Sequence, residues 1–235
     1  MPTFPAALPH GPLTRVADRI HTLRGRFRMG AGMIISRTMT VIEGDDGLVV
    51  VSAIRLSDAG HAELDALGRV RHLIKLGDAH GIDDPYYVDR YAPQIWTLPG
   101  ARLVGIGAGR RLGPDGPIAG GTVVDYGTPA GQREAAYRIP YAGGTLITCD
   151  AIQNCVDSEG ASLMIRLVTP LLGFTGGVIV PRMWRRKRKL AGTAVRDTLG
   201  GLLPLTFANL VTGHGPAVVG GADEAVWAAI AHASR

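Results

Sequence analysis

Lys75-Leu76-Gly77-Asp78-Ala79-His80-Gly81-Ile82-Asp83-Asp84-Pro85 follows an apolar run, Val70 to Leu76, whose His72-Leu73-Ile74 centre reads as a buried strand. Pro85 then opens a Tyr-rich segment of helical character. The stretch therefore marks where a strand stops and a helix starts. It sets one imidazole beside the carboxylates of Asp78, Asp83 and Asp84 at the mouth of a sheet, where open α/β folds keep their chemistry. Two readings stand. Asp83-Asp84-Pro85 has the residues of a helix N-terminus, with a carboxylate accepting orphan backbone N–H groups and Pro early in the helix. The same carboxylates with His80 could instead hold a metal ion or move protons.

On the N-terminal side, residues 1–16 are Pro-rich and read as an arm, which leaves 17–235 as one domain. Arg19 to Arg24 alternates, and Thr38 to Glu43 and Gly47 to Ser52 are strands that the Asp45-Asp46-Gly47 turn should pair as a hairpin. Asp58 to Gly68 repeats apolar residues at helical spacing behind a Ser57 or Asp58 cap. With the strand at 70–76, a helix near 85–91 and a strand at 94–98, this half alternates strand and helix.

On the C-terminal side, Gly100 to Gly121 reads as loops with one short strand at Arg102 to Val104. Thr122 to Tyr126, Glu134 to Ile139 and Thr145 to Cys149 are consecutive strands running into Asp150. A helix from Ser162 to Leu172, a second opened by the basic run and continuing to about Leu199, a strand at Phe207 to Val211, a turn at Gly213-His214-Gly215-Pro216 and a closing helix from Asp223 to His232 complete the chain. Two halves that each pass from strands to helices predict an α/β (α+β) fold built as a four-layer αββα sandwich, two mixed sheets face to face with helices on both outer faces.

Composition narrows the class. A hydrophobic share of 46% with 33 glycines fits a loop-rich globular chain and excludes disorder. The net charge of +5 is concentrated in Arg182 to Lys189, which argues against a nucleic-acid face spread over a sheet. The apolar segment 162–181 is interrupted by Pro170, Gly173, Gly176 and Gly177, too broken for a membrane span. Together with the basic run it suggests contact of 162–190 with an anionic membrane surface. Cys149 and Cys155 have no disulfide or zinc-finger spacing, and the first residues have no basic start or apolar block of a signal peptide, so a cytoplasmic location is expected.

Three stretches, in this order, resemble the metallo-β-lactamase-fold superfamily: Asp78 to Asp84, Gly144 to Asp150, and Val211 to Pro216. The resemblance runs from about residue 18 to 232. It implies H-x-H-x-D-H for the first stretch, a metal-bridging aspartate for the second and a late histidine for the third. Here the first motif is degenerate: Asp78 stands at the first histidine, Ile82 at the aspartate, Asp83 or Asp84 at the next histidine, and His80 alone is retained. No histidine occurs in Tyr126 to Gly131 either, which removes a full two-zinc site.

The resemblance implies a hydrolase of a small ester, thioester or similar bond. A water activated by one divalent metal, zinc, iron or manganese, would be the nucleophile. Its ligands would be His80, Asp83 or Asp84, Asp150 and His214, with Asp78 a ligand or an outer partner, and His80 and Asp84 are the residues expected to take part in catalysis. The other implied possibility is a non-catalytic descendant that binds a ligand or partner in the old cleft. His10, His21, His61, His72 and His232 lack such company and read as structural or exposed.

Overall fold

The computed structural model describes residues 4–30, 32–127 and 132–235. The first sheet has seven strands in sequence order: β1 (Thr14–Ala17), β2 (Ile20–Gly30), β3 (Met33–Glu43), β4 (Leu48–Val51), β5 (Val70–Lys75), β6 (Gln94–Thr97) and β7 (Arg110–Arg111). The β1 to β4 pairings are antiparallel, and β4 through β7 pair in parallel. The second sheet uses β8 (Thr122–Asp125), β9 (Ala135–Ile139), β10 (Thr145–Ile147), β13 (Asn209–Val211) and β14 (Val218–Val219), ordered β14-β13-β10-β9-β8, with β10 and β13 parallel. Between these fall the ribbon of β11 (Gln153–Cys155) and β12 (Gly177–Ile179) and the helices α1 (Asp58–Leu67), α2 (Asp84–Tyr91), α3 (Leu163–Leu171), α4 (Arg182–Lys187), α5 (Thr193–Leu199) and α6 (Ala222–Ala233).

The period of two along each strand decides the layers. Val49, Val51 and Ile74 meet Tyr137, Ile147 and Val211 between the sheets. Their neighbours Val50 and Leu73 point the other way, onto Leu64 of α1 and Tyr87 of α2. In the second sheet Ala136, Leu146 and Leu210 face outward beneath Val195, Leu199, Val226 and Ile230 of α5 and α6. Every strand buried on both faces needs apolar residues in succession, which is why Leu48-Val49-Val50-Val51 is an unbroken run. The result is the αββα sandwich.

Several local expectations are corrected. The paired strands β2 and β3 are longer than their apolar segments, because alternation continues through Arg26, Phe27 and Arg28 opposite Ser36, Ile35 and Ile34. No strand forms at Arg102 to Val104; the Arg102 N–H is taken by the Asp78 carboxylate at 2.8 Å, and β7 forms further on instead. The helix opened by the basic run does not continue to Leu199. It breaks after Lys187, where Lys189 adopts φ 55° and Gly192 φ 54°, and α5 begins anew at Thr193. The arm does not run to residue 16, since Thr14 and Arg15 already pair with β2. Ser57 caps α1, its hydroxyl accepting from the Gly60 N–H. At α2, by contrast, Asp83 makes no side-chain cap, because an arginine and a different N–H claim its carboxylate.

Candidate metal centre

The parallel pairing of β10 with β13 sets Ile147 beside Val211. Asp150 and His214 follow at equal offsets, so both chains leave the second sheet at one level. His80 leaves the first sheet after β5, whose neighbours β4 and β6 are also parallel to it. Three loops after parallel strands thus share a rim. Nε2 of His80 lies 3.3 Å and Nε2 of His214 3.2 Å from the same Asp150 Oδ1. The two rings stand edge to face, 5.3 Å apart.

Each imidazole is held from behind. His214 Nδ1 donates to the Ser36 carbonyl of β3 at 2.7 Å, which leaves its Nε2 facing Asp150. His80 Nδ1 lies 3.2 Å from the Ser52 hydroxyl. Such outer bonds fix the tautomer and orientation of metal-binding histidines. The His214 turn is itself clamped to β3, since the Thr38 N–H donates to the Gly213 carbonyl at 2.9 Å and the Thr38 hydroxyl to the Gly215 carbonyl at 2.8 Å. The charges agree with the geometry. Burial works to raise the Asp150 carboxyl, yet the positive charge of His80 and hydrogen bonds from both imidazoles hold it well below the usual carboxylate range. Burial works to lower His214, and the Asp150 carboxylate more than offsets it, so the imidazole is raised.

The glycines beside His214 have separate reasons. A Cβ on Gly213 would sit 2.5 Å from Cε1 of His80, so the missing side chain is the room the ring occupies. Gly215 has φ 92°, and its Cβ would fall 1.8 Å from the Asn154 carbonyl oxygen. Gly213→Ala is therefore expected to push the His80 ring aside. Titration calorimetry with zinc should show affinity lowered about 10–100-fold, the range for disturbed ligand orientation, while the fold survives an overpacking cost of roughly 1–3 kcal/mol.

The three acids of the opening stretch go elsewhere. Asp83 is buried against the Arg37 guanidinium and accepts the Arg55 N–H at 2.9 Å. Asp84 is buried, with Oδ2 3.9 Å from the Lys75 ammonium; burial pushes its carboxyl up to about 6, against the pull of Lys75. Asp78 accepts the N–H groups of Arg102 and Arg133, each at 2.8 Å, and so ties two loops together. His10, His21, His61 and His72 each have a local side-chain partner. The Tyr126 to Gly131 turn lies outside the described residues from Thr128 onward.

Glu134, which reads in the sequence only as the first residue of a strand, supports the centre directly. Its Oε1 accepts the N–H groups of Asp150 at 2.9 Å and Ala151 at 2.7 Å. Oε2 accepts from the Trp184 indole at 2.7 Å and the Arg188 guanidinium at 2.6 Å. Burial and the charge of Asp150 push the carboxyl up, while four N–H donors suit its ionised form. The Cys149 thiol beside it is raised well above its usual value by burial, which rules out a ready thiolate.

His80, Asp150 and His214 each offer one ligand atom, all within 4.8 Å of one another. Two nitrogens and one carboxylate oxygen make a donor set that fits a divalent cation with positions left open. Among the described residues no other such group occurs. A cavity of about 660 Å³ extends from it, walled by Phe27 and Ile35 on one side and Ile165, Val168 and Leu172 on the other.

No protein-family profile matches the chain, and no curated protein matches it in sequence. Solved structures do. The metallo-β-lactamase FIM-1 from Pseudomonas aeruginosa in the mono-zinc form aligns at 12% identity over 98% of both chains, with a TM-score of 0.60. The DIM-1 metallo-β-lactamase exposed to ceftazidime gives 13% identity over 97% of this chain and 100% of its own, TM-score 0.63. A metallo-β-lactamase from Erythrobacter litoralis gives 10% identity over 94% of this chain and 92% of its own, TM-score 0.55. Across nearly its whole length, this chain has the metallo-β-lactamase fold.

Proposed function

We propose that the protein is a metal-dependent hydrolase of a small molecule with an ester, thioester or similar bond, working through one divalent cation held by His80, Asp150 and His214. The observation that carries this reading is the convergence of both imidazole Nε2 atoms on one Asp150 oxygen at the head of a cavity. When bound, a divalent cation supplies positive charge that polarises the scissile group and makes a water acidic near neutral pH. The chain supplies the rest. Ser36 and Ser52 hold the imidazoles in orientation, Glu134 fixes the backbone of the Asp150 loop, and the apolar walls exclude bulk water from the reacting bond. Asp84 is buried beside Lys75 and does not line the cavity. The two imidazoles suit zinc or iron, and the carboxylate suits manganese.

Elemental analysis of protein purified without added metal is expected to find about one transition-metal ion per chain. His214→Ala should lower metal affinity by at least about 100-fold, more than loss of an outer partner would, and remove hydrolysis of chromogenic esters and thioesters. Its melting temperature should stay within about 5 °C of the parent in metal-free buffer. A parent that takes up no zinc, manganese or iron on dialysis would instead favour a ligand-binding protein using the same cavity.

A further inference from the structure

We propose that the outward face of α3, with the basic residues at its two ends, docks on an anionic lipid bilayer. The proposal does not depend on the hydrolase reading. Helix α3, Leu163-Met164-Ile165-Arg166-Leu167-Val168-Thr169-Pro170-Leu171, is apolar nearly all round, a pattern that normally belongs to a helix inside a core. Yet none of its residues is buried. Ile165 and Val168 look toward the cavity, while Leu163, Leu167 and Leu171 are 71%, 65% and 84% exposed on the other side. A contiguous apolar face of this kind on a soluble domain marks an interaction site.

Charge identifies the partner. No Asp or Glu stands between Gly160 and Arg196, whereas Arg166, Arg182, Arg186, Lys187 and Lys189 are all exposed. The Arg182 side chain packs against Gly173, just beyond α3, so the start of α4 adjoins the end of α3. At the other end, the Ser162 N–H donates to the Ile34 carbonyl at 2.9 Å, tying α3 to the β2–β3 pair that carries exposed Arg28 and Met29. The acids nearest along the chain on the N-terminal side, Asp157 and Glu159, are both taken by Arg24. The face is therefore apolar at its centre and cationic at both ends. That combination suits an interfacial helix lying among anionic headgroups. Among the described residues no helix is long and apolar enough to cross a membrane, so α3 would lie in the plane of the surface. A second copy of the chain is a poorer occupant, because a two-fold contact on this face sets like charges against like.

Flotation with phosphatidylcholine vesicles, with and without phosphatidylglycerol, tests the assignment. The protein should float with the anionic vesicles, stay behind with the neutral ones, and be released by salt that shortens the screening length from about 10 Å to about 3 Å. Each basic residue near an anionic surface adds roughly fivefold to binding, so Arg182→Glu with Arg186→Glu should weaken it by about 25-fold or more. Leu167→Asp with Leu171→Asp should abolish it, and because both side chains are exposed, the melting temperature should be kept. Absence of flotation with anionic vesicles at low salt would overturn the proposal. So would flotation unchanged by the two Leu→Asp substitutions. A concentration-dependent dimer in sedimentation velocity, dissolved by the same pair of substitutions, would assign the face to a second copy instead.

Discussion

Glu134→Ala is expected to destabilise the domain by about 3–5 kcal/mol and to weaken metal binding at a centre the side chain does not itself join. The stability loss comes from Arg188, which is 5% exposed and whose ionic partner is Glu134. Removing one member of a buried pair leaves the other charge uncompensated, at a cost in that range. The Trp184 indole N–H and the N–H groups of Asp150 and Ala151 lose their acceptor at the same time. With those two backbone bonds gone, the loop that presents the Asp150 carboxylate is no longer fixed, and metal affinity should fall by about 10–100-fold. Glu134→Gln separates the two effects. Its amide oxygen can still accept the Asp150 and Ala151 N–H groups, so metal affinity should hold more nearly than stability. Denaturant unfolding and zinc calorimetry on the two variants check this. Equal losses of affinity in both would mean that charge at Glu134, and not the backbone bonds, governs the centre.

Asp84→Asn is expected to show a stability difference from the parent that changes with pH by roughly 3 kcal/mol. Asp84 is 2% exposed, and burial carries its carboxyl from the ordinary 3.8 up to about 6. A group whose folded value lies above its unfolded value is ionised at a cost to the folded state at neutral pH. That cost disappears as pH falls through 6 toward 4, because the folded state takes up the proton first. The gap between about 6 and 3.8, at 1.36 kcal/mol for each pH unit, sets the full size at about 3 kcal/mol, most of which is reached by pH 4, where the unfolded carboxyl also begins to take up protons. Asparagine does not titrate, so the parent should gain on Asp84→Asn between pH 7.5 and pH 4. Unfolding curves for both proteins at these two pH values measure the change, and a pH-independent difference would show that Lys75 keeps Asp84 ionised throughout. Lys75, 3.9 Å away, has no anionic partner in Asp84→Asn at either pH and none in the parent once Asp84 is protonated, and its pull is already contained in the value of about 6.

The layers of the sandwich were legible in the chain because they depend on local alternation. Leu48-Val49-Val50-Val51 and His72-Leu73-Ile74 state by themselves that they are covered on both faces, and the Asp45-Asp46-Gly47 turn pairs the strands beside it. Gly213-His214-Gly215 was legible through its resemblance to the late histidine motif of the metallo-β-lactamase-fold superfamily, since on its own a histidine between glycines can equally orient a turn. Its glycines proved to serve two different neighbours, the His80 ring and the Asn154 carbonyl. Helix α4 shows where local reading stops. Its basic composition favours a longer helix, but Arg188 turns inward to Glu134 and the chain bends behind it.

Residue type and order alone determined that one imidazole after β5, one carboxylate after β10 and one imidazole after β13 would stand at strand ends. Tertiary structure alone decided which acids join them. Asp78, Asp83 and Asp84 carry the same carboxyl chemistry as Asp150, and nothing in their own stretch distinguishes them. For two of them the use was set by donors from distant parts of the chain, the Arg102 and Arg133 N–H groups for Asp78 and Arg37 with the Arg55 N–H for Asp83, while Asp84 lies beside Lys75 of its own stretch because the fold turns the loop back onto the end of β5. A buried carboxylate goes to whichever cation or N–H group the fold brings within reach, because leaving it unpaired costs more than any local preference supplies. Asp150 meets two imidazoles because β10 and β13 run parallel and β5 ends on the facing sheet.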